Sequence, residues 1–331
     1  GQLITASIVG AVAVWLSYPA VFVLGGTWGA LFLLYLGKRQ WTALSQVIVT
    51  SLPWIVSLVL YFLLLLRGLT HDQVLLSYWT DSFMPFPPSS LADVKWFVDT
   101  FFELFRNPVG LYLTGIAALT FLLGCRQLFA DNKEKLIPLV SPMLVTLIAS
   151  GFRVYPFGER MLLFLVPSFL ILITLGIVYI RVHSLLVSIL VIFLLFLHPT
   201  VSSVYYLITP RKVEELRPVM KHVQQRWRER DVIYLYYASE APFKYYSGAL
   251  GFGSKAYVLG IDARNNWLKY LEDVERMRGN QRAWFLFSHV HKDSGVDEEQ
   301  LIVQYLDAEG IRLDSFRDTG ASVYLYDLAG F

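Results

Sequence analysis

The sequence predicts an α-helical polytopic membrane bundle followed by a small soluble α/β domain. Two observations carry this prediction. First, six long runs before Pro210 contain no Asp, Glu, Lys or Arg, and a hydrocarbon core of ~30 Å needs ~20 apolar residues in a helix. Second, most charged residues come after Pro210, in alternating patterns typical of a water-soluble domain. Amphipathic helices of a soluble protein would instead place polar residues at every third or fourth position.

The composition agrees with a membrane protein. The mean hydropathy is +0.50 and only 16% of the residues are charged, against a usual ~25%. The single cysteine, Cys125, excludes an intrachain disulfide framework. The sequence has no glycine-rich phosphate loop or Gly-x-Ser-x-Gly elbow, and nothing in it supports binding of nucleic acid.

The first charge-free run, Gly1–Gly37, is too long for one crossing, since it would measure ~55 Å as a helix. It contains Ser17-Tyr18-Pro19, and a proline disfavours helix at the preceding residue, so we expect two spans that meet there. Trp41–Leu66 is the next span. Because the chain opens inside an apolar run, without a basic targeting segment, we expect it to be the C-terminal part of a longer protein.

A long polar connection, residues 67–106, separates these spans from the rest. Its second part, Leu91–Phe105, has an amphipathic pattern that suits a helix lying in the membrane interface. Four further spans follow, which gives a transmembrane domain of about seven spans over residues 1–206: Asn107–Cys125, Leu136–Phe152, Met161–Ile180 and Ser184–Tyr206. Residues 126–135 are predicted to form a short charged loop.

The distribution of basic residues predicts the orientation in an inner or plasma membrane. Short loops that carry many Lys and Arg residues stay in the cytoplasm. Three such loops share one side, and their basic residues are Lys38, Arg39, Arg126, Lys133, Lys135 and Arg181. The outer loop 67–106, the turn Arg153–Arg160 and everything after Tyr206 are therefore expected to face away from the cytoplasm.

The tail, residues 207–331, is predicted to be an extracytoplasmic α/β domain. Helical patterns alternate with strand-like runs, which favours a mainly parallel sheet with an antiparallel edge. The expected helices are Val213–Arg230, Asn266–Arg278 and Asp297–Ala308, and the expected strands are 232–237, Ala283–Phe287, Ile311–Phe316 and Ser322–Tyr326. The last two strands flank a hairpin signal. The first helix is basic and either contacts anionic headgroups or is simply solvated.

The turn Arg153–Arg160 contains the most informative polar residues. Two arginines flank Tyr-Pro-Phe-Gly between two apolar spans, and guanidinium groups bind phosphate bidentately. The pair therefore fits a phosphate clamp. A simpler alternative is that Arg153 and Arg160 extend to lipid headgroups and that Glu159 pairs with one of them.

Two other segments carry weaker signals. Asp81 follows Tyr78 and Trp79 in the outer loop, where a carboxylate can bind a metal or orient a substrate hydroxyl, although most loop carboxylates are only solvated. His289 and His291, with Asp293 nearby, have the alternating spacing of metal ligands at a strand end, but a site would need further ligands. The simpler interpretation is an ordinary strand end.

Three segments resemble bacterial membrane glycosyltransferases of the GT-C superfamily, the glycosyltransferase family 39 and protein mannosyltransferase-like group. They are 16–22 (LSYPAVF), 78–90 (YWTDSFMPFPPSS) and 155–167 (YPFGERMLLFLVP). The resemblance covers the membrane half well and the tail loosely. It implies transfer of a sugar from a polyprenyl-phosphate-linked donor to a lipid, glycan or protein acceptor on the non-cytoplasmic face.

The resemblance also implies roles for particular residues. Arg153 and Arg160 would bind the donor phosphate with Glu159 orienting one of them, and the substrate cleft would be lined by Tyr155, Tyr78, Trp79 and Asp81. The chemistry would be an inverting displacement that is acid-assisted or uses a divalent cation. The family's catalytic carboxylates lie in an earlier outer loop that this sequence does not contain, so the catalytic base is left unassigned.

Two other function classes remain open from the sequence. A transporter or flippase of cell-envelope lipids would use similar spans, but it would place charged or broken helices near mid-membrane, whereas these spans keep their charges at the ends. A non-catalytic membrane-anchored binding module would explain the tail but not the turn Arg153–Arg160.

Overall fold

A computed structural model of the chain describes residues 1–66, 79–253, 257–263, 266–290 and 296–330. The chain divides into two compact units, Gly1–Ile208 and Thr209–Phe331, which we call the helical unit and the sheet unit. The division lies two residues after the boundary expected from the sequence. Each unit is described separately below.

The described part of the helical unit contains seven α-helices: α1 (Gln2–Leu16), α2 (Ala20–Gly37), α3 (Trp41–Tyr61), α4 (Leu91–Arg106), α5 (Thr114–Gly151), α6 (Val166–His183) and α7 (Leu185–Ile208). A π-helical turn, Phe62–Leu66, continues α3, and 3-10 turns form at Thr80–Ser82 and Glu159–Leu165. Among the described residues, five helices are long and apolar enough to cross a membrane: Ala20–Gly37, Trp41–Leu65, Thr114–Gly151, Glu159–His183 and Leu185–Ile208. This number is lower than the seven spans expected from the sequence. Helix α1 is too short to count, and two of the expected spans lie within the single helix α5.

Helix α5 reverses direction in its middle. Asn132 has φ −160° and ψ 85°, which is not helical. Phe121 and Val140 line the same small cavity, although a straight helix would separate them by about 28 Å. Residues 114–131 and 133–151 are therefore two antiparallel segments. The connection expected at 126–135 therefore has the right position, since the chain reverses there at Asn132. It is helical rather than a loop on either side of Asn132, because its Lys, Glu, Gln and Arg residues are good helix formers.

The expected start of a span at Asn107 is also wrong, because α5 begins at Thr114. Pro108 lies in this segment, and proline has no backbone N–H to donate within a helix. Gly110 adopts φ +83°, a left-handed conformation that glycine tolerates. The backbone N–H groups of Gly110 and Leu111 donate to Arg106 and Phe105, so the segment folds back as a turn at the end of α4.

The amphipathic helix expected over Leu91–Phe105 is confirmed as α4. It begins with a capping box in which Ser90 and Asp93 exchange side-chain and backbone hydrogen bonds. Leu104 and Phe105 are buried against the rest of the unit, whereas Phe102 is 39% exposed. The exposed apolar side chains of α4 thus lie outside the packed face.

Glycines allow the helices of this unit to approach closely. A Cβ on Gly124 would lie 1.8 Å from the carbonyl oxygen of Leu172, and one on Gly176 would lie 1.8 Å from that of Thr120. A Cβ on Gly26 would meet Pro142 at 2.6 Å. The first segment of α5 therefore packs backbone to backbone on α6 and the second packs on α2, as small residues permit in membrane bundles.

The sheet unit contains a five-stranded sheet with the order β2-β1-β3-β5-β4 in the described residues. The strands are β1 (Val232–Leu235), β2 (Tyr257–Leu259), β3 (Ala283–Ser288), β4 (Ile311–Asp318) and β5 (Ala321–Asp327). Strand β1 runs parallel to β2 and β3, and β5 runs antiparallel to β3 and β4. The antiparallel part is thus larger than the edge expected from the sequence.

Helices cover both faces of this sheet. One face packs on α8 (Leu216–Arg226) and α9 (Glu240–Ser247), and the other packs on α10 (Trp267–Val274) and α11 (Glu298–Glu309). The expected strands at 232–237, Ala283–Phe287 and in the final hairpin are confirmed. The sequence patterns missed α9 and β2, which are only eight and three residues long, and they made α8 too long at both ends.

Candidate functional site

The turn Arg153–Arg160 joins the end of α5 to the 3-10 turn that precedes α6. Because α5 reverses at Asn132, Thr114 and Gly151 lie at the same end of its two segments. The turn lies at that end too. The arginine-containing turn, the start of α5 and the end of α4 therefore share one end of the helical unit.

The middle of the turn is buried. Tyr155, Pro156 and Phe157 are all buried, and the Tyr155 hydroxyl donates a hydrogen bond of 2.8 Å to the carbonyl of Met161. The ring of Tyr155 lies 4.6 Å from that of Phe22 between centroids. The turn is thus anchored by aromatic packing on the start of α2, and the Tyr155 hydroxyl is already occupied inside the protein.

The two ends of the turn are exposed and charged. Arg153, Glu159 and Arg160 are all exposed, and Arg153 and Glu159 adopt φ +56° and +47°. Arg153 directly follows the C-cap of α5, and the N–H groups of Arg153 and Val154 donate to the carbonyls of Ser150 and Ala149, so its left-handed conformation ends the helix. Within the described ranges, neither arginine forms an ion pair with Glu159. The guanidinium groups therefore keep their charge available for a ligand.

The segment Trp79–Met84, which precedes α4, packs on this turn. The Phe157 N–H donates to the carbonyl of Ser82 at 2.8 Å, and the Met84 N–H donates to the hydroxyl of Ser150 at 2.9 Å. The guanidinium carbon of Arg160 lies 6.0 Å from the centroid of the Trp79 ring, at the limit of a cation–π contact. The structure therefore brings two of the segments singled out in the sequence together.

Asp81 lies in the 3-10 turn Thr80–Ser82 and is exposed. Its backbone carbonyl accepts a 3.1 Å hydrogen bond from the indole of Trp96, which fixes the turn against α4. The Asp81 carboxylate makes no hydrogen bond or ion pair within the part of the chain that is described. Tyr78, the remaining expected cleft residue, lies outside the described residues.

The third segment of the resemblance lies in the same place. Tyr18 stacks on Tyr61 with 6.3 Å between ring centroids and lies 5.9 Å from Tyr155. Sequence reasoning did not identify Tyr61, Ser82 or Ser150 as parts of this region. Tyr61 has a weak signal, as a polar ring near the end of an apolar run. Ser82 contributes its backbone carbonyl, which leaves no trace in the sequence, and its side chain lies beside Gly158.

The expected metal ligands at the end of β3 are only partly described. His291 and Asp293 lie outside the described residues, while His289 contacts Glu214 through its Nδ1 atom at 2.5 Å. Within the described ranges, no group of three or more His, Cys, Asp or Glu side chains is arranged to hold a metal ion. Asp81 and Glu159 thus belong to no such group among the described residues.

Comparisons with protein-family models, curated proteins and solved structures find no match for this chain.

Proposed function

We propose that this chain is part of a membrane glycosyltransferase that takes a sugar from a polyprenyl-phosphate-linked donor and transfers it to a lipid, glycan or protein acceptor. Arg153 and Arg160 bind the phosphate of the donor. One observation carries this proposal: two exposed guanidinium groups flank a buried aromatic turn at the end of long apolar helices, and neither has a carboxylate partner among the described residues. A lipid-linked phosphate needs this combination of apolar surface and localised positive charge.

The proposal places the helical unit in the membrane with the turn Arg153–Arg160 at the non-cytoplasmic boundary. The density of Lys and Arg in the short connections near Lys38, Arg126 and Arg181 supports this orientation. The sheet unit is then extracytoplasmic. In this position the polyprenyl chain of the donor stays in the hydrocarbon core while its phosphate reaches the two arginines.

The arginines would contribute most when the bond between sugar and phosphate breaks. The leaving phosphate gains negative charge, and two fixed guanidinium donors stabilise that charge more strongly than water does at a partly desolvated boundary. In this proposal the exposed carboxylate of Asp81, two residues after Trp79, accepts hydrogen bonds from sugar hydroxyls. The base that deprotonates the acceptor stays unassigned.

Two expected roles change with the geometry. Glu159 forms no ion pair with either arginine in the described residues, so orientation of Arg160 falls to the neighbouring Trp79 ring. Tyr155 donates its hydroxyl to Met161 and therefore supports the turn rather than the ligand.

Binding of polyprenyl phosphate to the protein in nanodiscs tests the proposal. A charge-assisted hydrogen bond contributes about 1.5–3 kcal/mol, so we expect Arg160→Ala and Arg153→Ala to weaken binding about 10- to 100-fold. Arg160→Lys keeps the charge but loses the bidentate fork, and it should give an intermediate loss. The matched control is Arg181→Ala, because Arg181 is also an exposed arginine but lies in the last turn of α6, at the opposite end of that helix.

Unchanged affinity in both alanine variants, with folding matched to wild type, would leave the arginines as headgroup contacts and overturn their phosphate role. Sugar transfer by the full-length protein tests the reaction itself. A protein that binds polyprenyl phosphate through both arginines but moves the lipid across the membrane without sugar transfer would support a flippase instead.

A further inference from the structure

An open cleft of about 540 Å³ lies where α4 ends and α5 begins. It is separate from the turn Arg153–Arg160 and shares none of its residues. Its lining combines acidic, basic and aromatic side chains: Asp99, Phe102, Glu103, Arg106, Tyr112 and Thr114. Neither the sequence patterns nor the proposed glycosyltransferase activity uses this cleft.

The charged side chains of the cleft come from one face of α4, since Asp99, Glu103 and Arg106 are four and three residues apart. Asp99 is neutralised by Lys95, with 3.1 Å between the Lys nitrogen and the carboxylate oxygen. Over the described ranges, Glu103 has no side-chain partner and Arg106 has no carboxylate partner. The guanidinium carbon of Arg106 lies 5.5 Å from the centroid of the Tyr112 ring, which holds the side chain at the cleft.

His198 adds a second unusual feature. It is the only His, Lys, Arg, Asp or Glu residue in α7, and ionisable residues inside apolar helices are costly. Its ring centroid lies 3.8 Å from that of Tyr112, the same ring that Arg106 contacts through its guanidinium group. The Arg106 guanidinium and the His198 imidazole therefore both lie beside the Tyr112 ring, one of the side chains that line the cleft.

The cleft lies at the depth of lipid headgroups if the helical unit spans a membrane. The segment 114–131 would measure about 27 Å, close to the ~30 Å hydrocarbon core, and Thr114 is at its first turn. The two aromatic rings that line the cleft are also exposed: Phe102 is 39% and Tyr112 52% exposed. Acyl chains can cover this surface while a headgroup occupies the polar cleft.

We propose that the cleft binds one zwitterionic phospholipid with a primary ammonium group, a lipid of the phosphatidylethanolamine class. Arg106, assisted by His198, binds the phosphate. Glu103 accepts hydrogen bonds from the ammonium group. A choline headgroup has no N–H donor for Glu103, and a glycerol headgroup has no cation, so both should bind more weakly.

Native mass spectrometry of the purified, delipidated full chain tests this proposal. Phosphatidylethanolamine, phosphatidylcholine and phosphatidylglycerol with identical acyl chains are added singly, and the fraction of protein that retains one lipid is compared. We expect wild type to retain phosphatidylethanolamine at about tenfold lower lipid concentration than the other two. Glu103→Gln should remove this preference, because the neutral amide loses the charge-assisted hydrogen bond.

The remaining variants separate the proposal from general charge effects and from the donor site. Arg106→Ala should weaken retention of all three lipids, whereas Arg181→Ala and Arg160→Ala should leave the ethanolamine preference unchanged. Thermal melting in the same detergent confirms that each variant is folded. The proposal is wrong if wild type shows no headgroup preference, or if Glu103→Gln keeps the preference of wild type.

Discussion

At the scale of single residues, Tyr234 couples the stability of the sheet unit to pH. Its hydroxyl is buried in the sheet and donates a 2.8 Å hydrogen bond to the Asp273 carboxylate. Burial, and then this hydrogen bond, raise the pKa of Tyr234 above its usual value near 10. The folded unit therefore holds the proton more tightly than the unfolded chain does. The resulting stability is complete below pH ~10 and is lost as the pH rises further.

We expect Tyr234→Phe to reduce the free energy of unfolding of the sheet unit by about 1 kcal/mol at pH 7, because one buried hydrogen bond is lost. Asp273 keeps its partner Arg276 at 2.7 Å, which limits the cost. The loss of stability between pH 9 and 11 should also become shallower than in wild type. Pulse proteolysis of the full chain in urea measures both quantities.

Tyr245→Phe is the matched control, since Tyr245 is 80% exposed and should change neither quantity. An identical alkaline profile for wild type and Tyr234→Phe would show that Tyr234 does not carry this proton linkage.

The sequence predicted the charged residues of the candidate site better than the packing contacts that hold the turn Arg153–Arg160 in place. Arg153 and Arg160 are visible as charges next to apolar runs and Asp81 as a charge within the polar connection 67–106, and all three are exposed in the structure. The contact of Phe157 with Ser82 joins residues 75 positions apart through backbone atoms, and no side-chain pattern records such a contact. Sequence patterns therefore identified the turn but not what it packs against.

At the scale of helices and strands, the approach of α5 to α6 depends on glycine. A methyl group on Gly124 would overlap the Leu172 carbonyl, which belongs to the helix backbone and cannot move aside as a side chain would. We expect Gly124→Ala to destabilise the helical unit by about 1–3 kcal/mol, the usual cost of overpacking, and to lower its melting temperature in detergent.

Gly115→Ala provides the comparison, because Gly115 lies in the same helix and nothing lies within 4 Å of an added Cβ. Alanine there should be neutral or slightly stabilising, since it favours the helix. Equal melting temperatures for the two variants would contradict the close packing of α5 on α6.

The positions of the long helices followed from the charge-free runs, but their ends did not. Lack of charge does not distinguish a helix from a turn. The sequence therefore predicted that residues 107–113 belong to a span, whereas they form a turn that contains Pro108 and the left-handed Gly110. Conversely, a charged segment can stay helical, as 126–135 does. Short elements such as β2 depend on pairing with β1 and have too few residues for a periodic pattern.

At the scale of the whole molecule, the distribution of Lys and Arg predicts that the sheet unit is exported. A reporter fused after Phe331 checks this: alkaline phosphatase should be active and green fluorescent protein should stay dark. A second fusion within the connection Lys38–Gln40 serves as the opposite control, since that connection is expected in the cytoplasm. Fluorescence at Phe331 without phosphatase activity would reverse the orientation proposed for the phosphate site.

The reversal of α5 at Asn132 has a further consequence for how this protein can change. Helices α2 and α3 are joined by Lys38–Gln40, the two segments of α5 by Asn132, and α6 and α7 by Ser184. These connections hold one to three residues and leave no slack, so an inserted peptide would have to pull neighbouring helices apart. The opposite end also has one three-residue connection, Ser17–Pro19, but its other two connections, the turn Arg153–Arg160 and residues 107–113, are longer. New binding specificities can therefore be engineered, or can evolve, far more readily at the end that carries the arginines.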